Sequence, residues 1–137
     1  MYQQWIIPTD LKAGRDLAED IMRHVRVQGY DQDVCFAIRL ALEEALINAI
    51  KHGNGCDPAK KISISAYVGL DKTDITIGDE GKGFDPKTLP DPTADENLEK
   101  PGGRGIMLMR AYMDQVLFNG RGNEVRIIKH RPVGMSQ

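Results

Sequence analysis

The chain has little cysteine, no surplus of positive charge and no long apolar run, and each shortage closes off a class of function. Cys35 and Cys56 are its two cysteines. They lack the paired short spacing of a zinc site and are too few for a disulfide framework, so a reduced, cytoplasmic setting is expected. Lysine and arginine total 18 against 20 aspartate and glutamate, a net charge of -2. That balance supplies no global attraction to nucleic acid or to an anionic membrane, and direct binding to either is not expected. No apolar run approaches the roughly 20 residues of a membrane span, and the N-terminus shows no signal-peptide pattern. A GxxxxGK(S/T) string is also missing, which removes the P-loop.

What is present is a chain of 137 residues, 41% hydrophobic and 28% charged, the size and composition of one soluble domain with a sizeable core. Tyr2 to Ile7 is predicted as a short strand stopped by Pro8, with Thr9 or Asp10 capping a helix. Leu11, Leu17, Ala18, Ile21, Met22 and Val25 recur at helical spacing, and that helix should end near Gly29. Asp31 begins a longer helix whose apolar face runs through Val34, Ile38, Ala41, Leu42, Ala45, Leu46, Ala49 and Ile50, with Gly53 as its stop. Ile62, Ile64, Ala66 and Val68 alternate with polar neighbours, as do Ile75 and Ile77 after a turn at Gly69 to Asp71, the pattern of an antiparallel hairpin. The stretch over about 85–103 holds Pro86, Pro90, Pro92 and Pro101 and no sustained apolar period, so a mobile lid is expected there. A third helix is predicted over Ile106 to Val116. Val116 to Phe118 and Val125 to Ile128 should form a closing hairpin around NGRGN, with a loose tail from Arg131. The layout is a two-layer α+β sandwich in one domain, 1–137.

Three polar islands carry the chemistry, in fixed order: EALINAIKHG from Glu44 to Gly53, DEGKGF from Asp79 to Phe84, and PGGRGIMLM from Pro101 to Met109. Glu44 and Asn48 are four apart on a helix, so they share one face. Mg²⁺ takes oxygen ligands but keeps waters and substrate phosphates, so an Asn carbonyl suits it as sole protein ligand when ATP supplies the rest. Glu44, one turn away, is then placed to accept a proton from an attacking hydroxyl. Taken alone, the pair also fits the solvated face of an amphipathic helix, as Glu43 does. His52 extends the 44, 48, 52 stripe towards phosphates, or else answers the helix C-terminal dipole; Lys51 shares the ambiguity, and His24 and His130 have no partner by spacing. Asp79 ends a strand, where a carboxylate can accept from an amino group on a flat ligand, and Gly81 and Gly83 let backbone approach that ligand. An ordinary strand exit has the same composition. Pro86 and the glycine spacing exclude a Rossmann turn. PGGRG before a helix offers free N–H groups and a positive dipole end to phosphate, with Arg104 able to add a charge-assisted contact; a flexible loop before a helix is the plainer alternative. Order and context weigh against coincidence of all three.

With these islands the chain resembles the ATP-binding fold shared by gyrase, histidine kinases and mismatch-repair ATPases, and within it the anti-sigma factor serine kinases of bacteria. EALINAIKHG resembles that family's N box, DEGKGF its first glycine box, and GGRGIMLMRAYMDQV its second glycine box and following helix. The resemblance implies a Bergerat fold, with a mixed, mostly antiparallel sheet and helices on one face. It implies Glu44 as catalytic base, Asn48 as Mg²⁺ ligand, Asp79 on the adenine amino group, Gly81 and Gly83 shaping the adenine pocket, and Gly103 and Gly105 at the phosphates. ATP and Mg²⁺ are the implied cofactors. An anti-sigma factor antagonist as phosphoacceptor, a sigma factor, and a second copy of the chain are the implied partners. Family members often carry Thr after the glycine of the last hairpin, where this chain has Asn123 after Gly122. Two other functions fit the same islands: a binding module whose nucleotide only sets partner affinity, and a detached histidine-kinase ATP-binding domain. The chain lacks a phosphoacceptor helix, which tells against the second.

Overall fold

A computed structural model describes residues 1–82 and 103–132, without the side chains of Gly103 and Arg104. The expected lid, but for Gly103, and all but the first two residues of the expected loose tail lie outside that description. The elements in chain order are β1 (Tyr2–Pro8), α1 (Leu11–Val27), α2 (Gln32–Ile47), a π-helical turn (Asn48–Gly53), β2 (Lys61–Val68), β3 (Lys72–Gly78), α3 (Gly103–Tyr112), β4 (Gln115–Phe118) and β5 (Glu124–His130).

Local chemistry explains both ends of α1. The Asp10 carboxylate accepts from the Ala13 N–H at 3.0 Å, satisfying one of the free donors at the start of α1. Gly29, with φ of 78°, reverses the chain after α1. Alternation along β2 and β3 buries Ile62, Ile64, Ala66, Val68, Thr73, Ile75 and Ile77, while the residues between them face outward.

The five strands lie in the order β1-β2-β3-β5-β4. All four pairings are antiparallel, where a mixed, mostly antiparallel sheet was expected. Register aligns Trp5, Ile64, Ile77, Val125 and Phe118 in one row across the sheet. A second row runs Ala66, Ile75, Ile127, Val116. Onto this apolar face α1 lays Leu17, Ile21, Met22 and Val25, α2 lays Ile38, Leu42 and Leu46, and α3 lays Ile106 and Met109, all buried in one cluster. The result is the expected α+β sandwich, helices against a single sheet.

Two helix ends and one apolar position differ from expectation. The α-helical hydrogen bonding of α2 stops at Ile47 and widens into the π turn. The third helix ends at Tyr112 rather than Val116, because Val116 pairs with Ile127 in the sheet and the Asp114 N–H donates to the Ile128 carbonyl at 2.9 Å. Leu11 opens α1 but stays 37% exposed, outside the core. Among the described residues no helix is long and apolar enough to cross a membrane.

Candidate active site

Where the π turn, the end of β3, α3 and the β4–β5 hairpin meet, they enclose a cavity of about 500 Å³. Ala45, Ile77, Ile106, Met109, Phe118 and Val125 form its apolar lining. Asn48, His52, Lys60, Asp79, Lys82 and Asn123 supply polar groups, with Asn54 and Glu124 also on the lining. An apolar slot with a few convergent polar groups is the usual form of a small-molecule site. Its base is laid down by the sheet: Ile77 and Val125 are register partners, and Asp79 follows directly as β3 ends.

Asp79 is held from several sides. Its N–H donates to the Asn123 carbonyl at 2.9 Å, and the Asn123 side-chain amide donates to the Asp79 carbonyl at 3.3 Å. The Gly81 N–H donates to its Oδ1 at 2.8 Å. Burial pushes the Asp79 carboxyl above the ordinary aspartate range, and the Gly81 N–H and the Lys60 charge pull against that shift. A Cβ at Gly53 would overlap the Asp79 carboxylate, and one at Gly81 would overlap the Gly53 carbonyl. The two loops can approach this closely because both positions are glycine.

Glu44 and Asn48 face the other end of the site. An added Cβ at Gly105 would stand 3.0 Å from Glu44 Oε2 and 3.0 Å from Asn48 Nδ2. Acid, amide and the first turn of α3 therefore converge on one point, and the helix spacing predicts the face that Glu44 and Asn48 share. Asn48 and His52 line the cavity; Glu44 stands just beyond its lining. Gly83 and the Arg104 side chain lie outside the described residues, as does Lys100.

Lys60 and Asn54 are among the lining residues passed over in reading the sequence. Lys60 lines the cavity, yet a lysine before a strand carries no signal to single it out. Asn54, 2% exposed, is fully bonded: its amide donates to Thr9 Oγ1 at 2.9 Å and to the Lys61 carbonyl at 3.0 Å, and its Oδ1 accepts from the Glu80 N–H at 2.8 Å. Its place in GNG suggests turn chemistry, which hides a buried role. Asn123, the departure from the family pattern, keeps a polar contact with Asp79, and Asn119 fixes its amide by a 2.8 Å bond.

Residues 7–129 match the family model described as a histidine kinase-like ATPase domain. The chain belongs to this family. Within it, the chain is 33% identical over 112 residues to the serine-protein kinase RsbW of Bacillus subtilis, a match covering 74% of this chain and 68% of that one. It is 34% identical over 99 residues to the anti-sigma F factor of Anoxybacillus flavithermus, covering 68% and 67%. With RsbW of Bacillus licheniformis it shares 33% identity over 96 residues, 64% of this chain and 59% of the relative, so it spans about three fifths of that protein's length. The fold matches the crystal structure of the RsbU and RsbW domains of a Mycobacterium tuberculosis protein with a TM-score of 0.64, at 15% identity, over 100% of this chain and 35% of that one. The relatives it resembles are a serine-protein kinase and an anti-sigma factor, the group that the three islands also resemble.

Proposed function

We propose that the chain is an ATP-dependent protein kinase that transfers the γ-phosphoryl group to a serine or threonine of an anti-sigma factor antagonist, and that in its other state it holds a sigma factor. The observation that carries this reading is the convergence of Glu44 and Asn48 on Gly105, at the edge of a cavity whose far end presents Asp79. RsbW and the anti-sigma F factors supply the substrate class and the partners by relationship.

Each residue then has a task. Asp79 accepts from the adenine amino group, while Gly81 and, by the resemblance, Gly83 shape the adenine pocket. Gly103 and Gly105 offer N–H groups at the positive end of α3 to the phosphates, joined by Arg104 and His52. Asn48 would hold Mg²⁺ through its Oδ1, a hard oxygen suited to an ion that takes its remaining ligands from phosphates and water. When bound, that ion neutralises charge on the phosphates during transfer. Glu44 receives the proton of the attacking serine or threonine hydroxyl, and the apolar lining excludes water that would compete as acceptor. Residues 1–137 act as one domain, cytoplasmic and dimeric.

A pure binding module, using nucleotide only to set partner affinity, would employ the same cavity without needing Glu44. To separate the two, the chain is purified with its partner from the native cell and incubated with γ-labelled ATP. Label on serine or threonine of the partner is the expected result. Partner exchange that follows nucleotide state with no label transferred would favour the binding module.

A further inference from the structure

We infer that Asn54 is a positioning residue that sets adenine selectivity by holding Asp79 in place. The inference rests on the reading of Asp79 as the adenine acceptor and goes beyond it. Asn54 sits immediately after the π turn and is 2% exposed. Both of its amide hydrogens are engaged, on Thr9 Oγ1 just after β1 and on the Lys61 carbonyl at the start of β2. Thr9 Oγ1 in turn donates to the Lys60 carbonyl at 2.6 Å. Those contacts tie the amide to two strands. Its remaining polar atom, Oδ1, accepts from the N–H of Glu80, the residue next to Asp79. A side chain so occupied has no amide hydrogen left for a ligand, and its effect on one must pass through the backbone.

The turn at residues 79–81 is thereby held at Asp79 and at Glu80, whose carboxylate also accepts from the Lys61 N–H. Asn123 grips the Asp79 backbone on one side, and Asn54 grips the Glu80 N–H on the other. One residue further on, the Gly81 N–H fixes Asp79 Oδ1, which sets the rotation of the carboxylate. Releasing the Glu80 N–H lets this turn relax, and the carboxylate loses its aim at the ligand's amino group while remaining ionised and in the cavity.

Inosine triphosphate separates this role from a merely structural one, because it carries a carbonyl oxygen where ATP carries the amino group. Wild type should bind ATP roughly 10- to 100-fold more tightly than inosine triphosphate in calorimetry, the range for a lost hydrogen bond that leaves a charged acceptor unpaired. Asn54→Ala should shrink that ratio to within about threefold, mainly by weakening ATP. Thr9→Val removes one acceptor of Asn54 and leaves its bonds to Lys61 and Glu80 intact, so it should lower the melting temperature while keeping the ratio. An undiminished ratio in Asn54→Ala, or an equal loss in Thr9→Val, overturns the inference and leaves the adenine reading standing. A wild type that binds both nucleotides equally overturns the adenine reading and the inference with it. Hydrogen exchange in wild type needs no variant to fold: the Glu80 amide should be protected, and exchange at the rate of an unbonded loop amide overturns the tether directly.

Discussion

Asp79 faces two opposed demands, and they lead to a pH dependence. Burial raises its pKa in the folded protein, so the ionised carboxylate lowers stability near neutral pH, and the loss is relieved as pH falls through the interval from the raised value down to the unfolded one. Adenine recognition needs that same ionised form. ATP affinity should therefore weaken on acidification, beginning above the pH where an unperturbed aspartate titrates. Calorimetry from neutral pH downward should reveal a component of this loss that disappears in Asp79→Asn. The same variant keeps an oxygen for the Gly81 N–H but carries no charge to desolvate. It should melt higher than wild type without nucleotide and gain less from ATP, the usual opposition of stability and function at a site. A lower melting temperature without nucleotide would contradict the assignment of burial as the dominant influence on Asp79. At this scale the acid, the amide and their spacing were legible, because an i to i+4 relation on a helix is local geometry. Asn54 and Lys60 were not: their roles depend on residues up to 45 positions away, such as Thr9, and no local pattern reports such partners.

At the scale of elements, the close meeting of the π turn with the Asp79 loop depends on glycine at 53 and 81. A Cβ at Gly81 would strike the Gly53 carbonyl, which is backbone and cannot swing aside. Gly81→Ala should cost about 1–3 kcal/mol of stability, as overpacking does, and should weaken ATP binding by moving Asp79. Gly120→Ala is the control, since nothing lies within 4 Å of a Cβ there. Equal behaviour of the two variants in urea melts and ATP titration would mean that the loop contact has no bearing on the site. Helices and strands were legible wherever an apolar period ran long, as in α1, α2 and β2. The π turn was not, since Ala49 and Ile50 stay buried and extend the apolar stripe of α2 without a break. The end of α3 was misplaced for a related reason: Val116 suits a helix face as well as a sheet, and its pairing with Ile127 decides the matter.

For the whole molecule, the sheet order leaves β1 at one edge, with Tyr2 64% and Ile6 76% exposed on it. An exposed apolar edge strand is a ready surface for a second chain, and a homodimer through the N-terminal third is expected. Sedimentation at tens of micromolar should give a dimer. A monomer in both nucleotide states would contradict it. The fold class was legible from element order alone, whereas the fully antiparallel pairing arises from how β5 inserts between β3 and β4, a long-range choice. In the proposed function, this fold brings a general base and a metal-binding amide to one phosphoryl group. That claim is tested most directly by measuring γ-phosphoryl transfer to the antagonist beside Mg-ATP affinity in wild type and Glu44→Gln, with Asn48→Ala, which should lose both, as reference. Glu44→Gln should keep its affinity and lose about 10²- to 10⁴-fold in transfer rate, the range for general-base assistance. Transfer by Glu44→Gln at the wild-type rate would contradict the claim.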